Sequence, residues 1–221
     1  CVYSKQLLPN DPPCAIGKKD RLLTLLEHFH GVHFDSCKCG GFLTQGHNSV
    51  NQVIAELLRA LGYAAKVCEY PVGPQHPNRA PGSQGKPQRV DGVARNCLAL
   101  DGLTAIGWDT TIGGGLLWSN LDRAARSSGH TTAQLEASKA NLKKKACESK
   151  ELSYITMAID SFSAFGDELI DLITRGFARK SANADTELEK LKIAIECSYF
   201  ICRISAIVQK RNAAIFYGNA H

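Results

Sequence analysis

The chain has 221 residues, of which 44% are hydrophobic and 21% are charged, the composition of an ordinary globular protein. Its formal net charge is +5 and its sequence pI is near 8.7, so an acidic partner such as nucleic acid is compatible with the charge but not required by it. No apolar run approaches the roughly 18 to 20 residues of a membrane span, and we expect neither a membrane anchor nor a signal peptide.

The nine cysteines are odd in number and scattered along the chain. Several of them, including Cys68, Cys97 and Cys197, lie among apolar neighbours. This distribution favours reduced, buried thiols in an intracellular protein over a framework of disulfides.

Residues 1–46 are predicted to form an irregular and partly helical lead-in, with an amphipathic helix over 20–30. Histidines and cysteines follow within a short stretch. His33 and Cys37 have the spacing of half a zinc site, and Cys39 offers a further thiolate. The opposing Cys-x2-Cys pair is absent, so surface histidines beside a glycine turn are the alternative to a degenerate zinc knuckle.

The clearest predicted helix covers 47–62 and ends at Gly62, a residue typical of helix C-termini. Glu56 lies on this helix among apolar neighbours, either as a solvated side chain or as a third carboxylate of a site built farther along the chain. The apolar stripe that predicts the helix consists of Val50, Val53, Ile54, Leu57, Leu58 and Leu61.

Three strands are predicted next, over 64–70, 88–94 and 104–112. The proline- and glycine-rich segment 71–87 is predicted to be a long loop. The turn residues within 95–102 make the second and third strands a hairpin.

One aspartate lies in each strand of this hairpin. Because side chains alternate along a strand, Val90 and Gly92 should share one face, and Asp91 and Val93 the other. Asp91 and Asp109 can then converge on neighbouring strands, where a divalent cation or a shared proton would offset their repulsion. The alternative is a pair of solvated aspartates at strand ends.

The rest of the chain supplies a basic helical stretch over 121–150, a further core strand over 154–160, and helices over 167–179 and 186–217. The last helix carries basic residues near its end. Helices alternating with a mixed set of strands predict an α/β fold with a small mixed sheet flanked by helices.

A series of different short motifs lies between roughly residues 33 and 214, in a definite order. They are His33-x3-Cys37 with Gly40-Gly41-Phe42, His47-Asn48, Arg89-Val90-Asp91, Gly107-Trp108-Asp109-Thr110-Thr111, Lys143-Lys144-Lys145, Ser161-Phe162-Ser163-Ala164-Phe165-Gly166, Arg203-Ile204-Ser205 and Arg211-Asn212-Ala213. This series resembles the C-terminal endonuclease-like region that follows the reverse transcriptase in some non-LTR retrotransposons. The order of elements is similar to the core plan of the PD-(D/E)XK, or restriction-endonuclease-like, nucleases.

The resemblance implies a three-layer restriction-endonuclease-like core over 47–221, with extra C-terminal helices and an N-terminal knuckle-like segment. It also implies metal-dependent nicking of DNA, with Asp91 and Asp109 as catalytic ligands of Mg²⁺ or Mn²⁺ and Glu56 in support. The lysine expected two residues after the second acid is Thr111 here. A lysine of the following helix would replace it, and Lys144 is favoured.

The nucleic-acid contacts implied by the resemblance come from His47, Asn48, Arg89, Lys143, Lys145 and Arg211. The expected partner is DNA, or RNA, in an intracellular and nuclear setting, with the chain forming part of a larger reverse-transcriptase polyprotein. Two other functions remain open. One is a nucleic-acid-binding module that has the nuclease fold but no activity, which the loss of lysine at Thr111 favours. The other is an unrelated α/β protein whose basic residues only keep it soluble.

Overall fold

The computed structural model describes residues 42–75, 87–95, 105–113, 123, 126–127 and 129–217. The expected helix over 20–30 and the histidine and cysteine cluster lie outside these residues. In chain order the elements are α1 (Phe42–Ala60), β1 (Ala64–Gln75), β2 (Pro87–Arg95), β3 (Ala105–Gly113), α2 (His130–Glu148), β4 (Ser153–Asp160), α3 (Asp167–Ala182) and α4 (Glu187–Tyr217).

The four strands form one mixed sheet in the order β1-β2-β3-β4. β1 and β2 are antiparallel, and so are β2 and β3, which confirms the predicted hairpin. β4 lies parallel to β3, with α2 as the crossover between them. A parallel pair needs such a crossover because the chain must return to the same end of the sheet.

α1 covers one face of the sheet. Its predicted apolar stripe is buried, and Val50, Ile54 and Leu58 are each 0% exposed. The helix ends where Gly62 takes a φ of 92°, a left-handed conformation that favours glycine, and the Tyr63 N–H then bonds to the carbonyl of Leu58 at 2.9 Å.

α3 and α4 pack on the same side as α1. α4 runs antiparallel to α1, because Arg203 forms an ion pair with Glu56 while Arg211 packs against Gly46. Their shared core includes Leu169, Ile173, Phe177, Phe200, Ile204 and Val208.

α2 covers the opposite face. Its Cys147 is buried with Val72, Val90, Leu152 and Tyr154 in a second apolar cluster. The protein is therefore an α/β fold whose four-stranded mixed sheet is flanked by helices on both faces, as the sequence predicts, and this arrangement is compatible with a three-layer core.

Three predicted boundaries are wrong. α1 begins at Phe42 rather than at residue 47. Residues 71–75 were expected to be a loop, but β1 continues through them. The strand continues because Pro71 pairs with Arg89 and Gln75 with Pro87, across register shifts. β1 is at the edge of the sheet, where a missing proline N–H costs no ladder bond. α2 begins at His130 rather than near 121, directly after Gly129, whose φ is 78°.

None of the helices in the described part of the chain is both long and apolar enough to cross a bilayer. The expected domain boundary between residues 46 and 47 falls inside α1.

Candidate active site

Asp91 lies where β2 separates from β3. Paired residues run from Arg95 with Ala105 to Gly92 with Trp108. Two residues farther along β3, the N–H of Thr110 donates instead to Asp91 Oδ2 at 2.8 Å. The carboxylate thus takes the place of a main-chain acceptor at the end of the ladder.

The side chains of β2 do not alternate strictly across this point. Val90 belongs to the apolar cluster under α2, as Val93 does, whereas Gly92 faces the ring of Trp108 on the α1 side. The expectation that Val90 and Gly92 share a face is therefore wrong. The change of direction between them frees Asp91 from the sheet surface and lets its carboxylate reach the β3 backbone.

The N-terminal part of α1 supplies a histidine to Asp91. His47 Nε2 lies 3.0 Å from Asp91 Oδ2 and 3.1 Å from the Thr110 carbonyl oxygen. Its other ring nitrogen, Nδ1, lies 3.3 Å from the side-chain nitrogen of Asn51. His47 is one helical turn from Asn51, so both side chains lie on the same side of α1.

The buried indole of Trp108 sets the orientation of this group. The indole N–H can only donate, and it lies 3.2 Å from Asn51 Oδ1, which also accepts the Thr110 hydroxyl. The Asn51 nitrogen must then face His47 Nδ1. A neutral His47 consequently carries its proton on Nε2, directed at Asp91.

The two partners shift each other's pKa in opposite directions. The hydrogen bond to Asp91 raises the pKa of His47 above 6.5, against the opposing effect of burial. Burial acts to raise the pKa of Asp91. The hydrogen bond and charge of His47, with the Thr110 N–H and the charge of Lys143, outweigh it and hold the pKa below its usual value. Asp91 is therefore ionised at neutral pH.

Asp109 is the buried acid of the site, with a side chain only 2% exposed. Lys143 Nζ lies 2.7 Å from both carboxylate oxygens, and Lys139 Nζ lies 3.1 Å from Oδ2. The Tyr154 hydroxyl approaches Oδ2 at 3.5 Å, and burial raises the pKa of that phenol, so it remains protonated. A buried carboxylate needs such partners to stay charged.

Lys143, rather than the predicted Lys144, is the lysine that contacts both carboxylate oxygens of Asp109. The side of α2 that faces the sheet includes Thr132, Glu136, Lys143 and Cys147, at the spacing of helical turns. Lys144 is one position off this side. It is exposed and lines a separate surface pocket with Glu148 and Glu151.

Two other expected residues take part in contacts between α1 and α4. Glu56 is nine residues beyond His47, about 13.5 Å along the α1 axis, and forms an ion pair with Arg203 of α4. It does not complete the site. Arg211 is only 6% exposed and packs against Gly46, so its place is in the contact between α1 and α4 rather than on a nucleic-acid-binding surface.

The remaining expected nucleic-acid contacts lie at or near the surface. Asn48 and Lys145 are exposed. The Arg89 side chain is partly exposed and forms an ion pair with Glu69, while its carbonyl accepts Lys143 Nζ at 2.6 Å. His33, Cys37 and Cys39, the expected zinc ligands, lie outside the described residues.

Two members of the site were not singled out from the sequence, Lys139 and Asn51. The spacing of Lys139 and Lys143, one helical turn apart, was a usable signal, because residues at i and i+4 lie on the same side of a helix. Asn51 carried no such signal, since its role depends on Trp108, a residue from another element.

Oxygen atoms suited to a hard divalent cation are present at the site. Asp91 Oδ2 and the Thr110 carbonyl converge on one electropositive group, His47 Nε2. Asp109 is the residue before Thr110 on β3, and its carboxylate contacts Lys143. Carboxylate and carbonyl oxygens with water are the ligands Mg²⁺ accepts. Within the described residues there is no group of three His, Cys, Asp or Glu side chains placed to hold a metal ion. Any such ion would therefore rest on the two aspartates and main-chain oxygen.

No family model matches the chain, and no curated protein sequence matches it closely enough to count as a relative.

Apart from the site, a surface groove of about 940 Å³ lies between α1, α3 and α4, with Leu61, Lys180 and Ile193 among its lining residues. It contains none of the residues that surround the aspartates.

Proposed function

We propose that the protein is a metal-dependent DNA endonuclease of the retroelement type, which hydrolyses phosphodiester bonds and nicks its target. The observation that carries the proposal is the contact of Lys143 Nζ with both oxygens of Asp109, at 2.7 Å. The amine of a lysine on α2 thereby lies beside Asp109, where a lysine at position 111 would otherwise be expected. The succession of one helix, three antiparallel strands, a crossover helix and a parallel strand also supports the proposal.

Asp91 and Asp109 would hold the metal, with the Thr110 carbonyl as a further oxygen ligand. A bound Mg²⁺ or Mn²⁺ supplies a water of lowered pKa and offsets charge on the phosphate. His47 fixes the direction of the Asp91 carboxylate through its Nε2 proton. Lys143 would turn from Asp109 toward the scissile phosphate and stabilise the negative charge that develops there as water adds to phosphorus and the bond to the leaving sugar oxygen breaks.

Positive charge around the site would hold the DNA backbone. Lys139 and Lys143 lie at the acids, and Lys144 and Lys145 are exposed on the same helix. Asn48 is exposed in the N-terminal part of α1, next to His47. Contacts of this kind bind phosphate regardless of base sequence.

The test is plasmid nicking by the purified protein with Mg²⁺ or Mn²⁺. We expect Asp91→Asn and Asp109→Asn to abolish nicking while leaving DNA binding in EDTA intact. Both substitutions keep the size of the side chain, and circular dichroism would verify the fold. Undiminished nicking by both variants would refute the site.

A second function is supported by the balance of charge. Two lysines already neutralise Asp109, and His47, whose pKa is raised, faces Asp91. This leaves little excess negative charge to attract a divalent cation. The same group of cations suits a nucleic-acid-binding module without catalysis. Salt-dependent DNA binding with no nicking under Mg²⁺ or Mn²⁺ would establish this alternative.

A further inference from the structure

Phe162 is an exposed aromatic residue held on a tightly bonded turn. Its exposed fraction is 63%, and no large hydrophobic side chain among the described residues is more exposed. It lies in the short segment that joins β4 to α3. Neither the packing of the core nor the proposed chemistry accounts for it.

The turn is fixed from within by Asp160. One carboxylate oxygen of Asp160 accepts the N–H groups of both Phe162 and Ala164, each at 2.8 Å. The Asp160 N–H donates to the Ala164 carbonyl at 2.9 Å, and Ser163 has a φ of 71°. A non-glycine residue in the left-handed region persists only where its surroundings determine the conformation.

The turn is also fixed from outside, by α4 and β3. Asn212 donates to the Ser161 carbonyl at 2.6 Å, and Gln209 donates to the Ser163 hydroxyl at 3.0 Å. The Ser161 N–H donates to the Gly113 carbonyl at the end of β3. Phe162 is therefore presented outward from a rigid support.

The turn that carries Phe162 is connected to the candidate active site through β3 and α4. Gly113 is four residues beyond Asp109 on β3, about 13 Å along the strand. From the other direction, Arg211 precedes Asn212 and packs against Gly46, the neighbour of His47. The turn is thus bonded to β3 about 13 Å from Asp109, a length of roughly four nucleotides of a duplex strand at 3.4 Å each.

We propose that Phe162 stacks on an unpaired nucleobase of the DNA strand that runs past the aspartates, a step that rests on the proposed nuclease function. Every base has a flat π-face, and an exposed aromatic ring binds it without regard to sequence. The exposed neighbours on α4, Gln209 and Lys210, are polar and basic. They suit base edges and phosphate better than the apolar surface of a partner protein.

The experiment measures DNA binding in EDTA, where no cleavage can occur. The probes are a single-stranded oligonucleotide that carries one 2-aminopurine and the matching blunt duplex, each titrated by fluorescence anisotropy. We expect Phe162→Ala to raise the Kd for the single strand about tenfold, within the range measured for base stacking on aromatic residues, and to change the Kd for the duplex less than about twofold. Phe162→Trp should retain single-strand binding. It should also retain the quenching of 2-aminopurine fluorescence that stacking on an aromatic ring produces.

Leu188→Ala is the matched control, because Leu188 is 62% exposed and lies on α4 about 36 Å from Asn212 along the helix axis. Equal loss of binding in this variant, or none in Phe162→Ala, overturns the stacking role while leaving the nuclease proposal standing. A wild-type protein that binds neither probe overturns both. Retained quenching in Phe162→Ala overturns the stacking role as well.

Discussion

The Asp109 carboxylate is nearly excluded from water, and the amines of two lysines contact it. Its side chain is 2% exposed, and Lys143 is less exposed than Lys139. Removing one member of a buried ion pair leaves an uncompensated charge, which is more costly than removing both. The two lysines thus have separable roles, with Lys143 aligned on both carboxylate oxygens and Lys139 on one.

Lys143→Met tests the role of the amine directly. We expect nicking at saturating DNA to fall by about 100-fold or more, because an aligned cation that stabilises transition-state charge is lost. Lys144→Met removes the same charge one position along α2. It should leave nicking at saturating DNA within about threefold, since Lys144 is exposed and saturation offsets a loss of DNA affinity. Equal losses in the two variants would mean that only the net charge of α2 matters.

Glu136 is a second buried acid, and its role is to accept a backbone hydrogen bond from α3 rather than to take part in the chemistry. It lies on α2, is 9% exposed, and accepts the N–H of Glu168 in the first turn of α3 at 3.0 Å. The residue that precedes α3, Gly166, provides no side-chain cap of its own. Burial raises the pKa of Glu136 above 4.5, and the charges of Glu168 and Asp167 add to this effect.

The stability of the wild-type protein should consequently depend on pH through Glu136. A carboxyl whose pKa is raised by folding binds protons more tightly when folded, so its contribution to stability falls as pH rises above 4.5. Glu136→Gln keeps the accepting oxygen and removes the charge. We expect this variant to gain stability over wild type as pH rises toward 7, measured by urea denaturation.

Glu148→Gln is the control for this measurement, because Glu148 is exposed on the same helix. It should follow the wild-type pH profile. A difference between Glu136→Gln and wild type that stays constant from pH 4 to pH 7 would show that burial of the charge does not govern the effect.

At the scale of the strands, Trp108 and Gly92 form one packing unit. They pair across β2 and β3, and the indole ring covers the position that a side chain on residue 92 would occupy. The missing side chain makes room for an indole that is 0% exposed and bonded to Asn51. Close packing between strands therefore sets the geometry of the α1 residues above them.

Gly92→Ala should destabilise the protein by about 1 to 3 kcal/mol in urea denaturation, because its methyl group overlaps the Trp108 ring. Gly107→Ala is the matched control one residue away in the same strand pair. Its methyl group would meet Leu152 at 3.4 Å and Cys147 at 3.6 Å, which are tolerable contacts. We expect a change within about 1 kcal/mol there. Similar losses in both variants would contradict the packing explanation.

Patterns local to one element predicted the elements well. The apolar stripe of α1 and the alternation of β4 identified both segments, and β2 and β3 were recognised within a residue at each end. The continuation of β1 through Pro71 was not predictable from local composition, because its cause is pairing with Arg89 of β2. Propensity describes a segment alone, whereas pairing depends on a partner elsewhere in the chain.

The candidate site was predictable in part for the same reason. Asp91 and Asp109 were predicted from their neighbouring strands, whereas His47 was expected as a nucleic-acid contact and not as the partner of Asp91. The choice between Lys143 and Lys144 required the rotation of α2 about its axis, which is set by burial of Cys147 against β4 and its neighbours. The engagement of Glu56 by Arg203 required the antiparallel docking of α4.

At the scale of the whole molecule, the charge of +5 is modest and its effect depends on where the lysines lie. Two lysines of α2 contact Asp109, and Lys144 and Lys145 follow them on the same helix. Lys190 lies near the start of α4, about 31 Å along the helix axis from Arg211. Affinity for DNA should be concentrated around the lysines of α2.

Lys145→Gln tests whether DNA binds at the lysines of α2, by measuring how DNA affinity depends on salt concentration. Each lysine that neutralises a phosphate contributes about −0.9 to the slope of log affinity against log salt concentration. We expect Lys145→Gln to make the slope for duplex DNA less steep by roughly one such contribution. Lys190→Gln, which removes an exposed lysine paired with Glu187, should leave the slope unchanged. Equal changes would indicate that DNA binds without a preferred region of the surface.

Trp108 also gives the protein an internal optical reporter. The sequence contains two tryptophans, Trp108 and Trp118, so Trp118→Phe would leave one emitting indole. That indole is shielded from water and bonded to Asn51, which bonds in turn to His47 beside Asp91. Events at Asp91 therefore reach a chromophore through three hydrogen bonds, from Asp91 to His47, from His47 to Asn51 and from Asn51 to Trp108. A titration with Mg²⁺ or DNA becomes readable as a change in emission, without any label attached to the site.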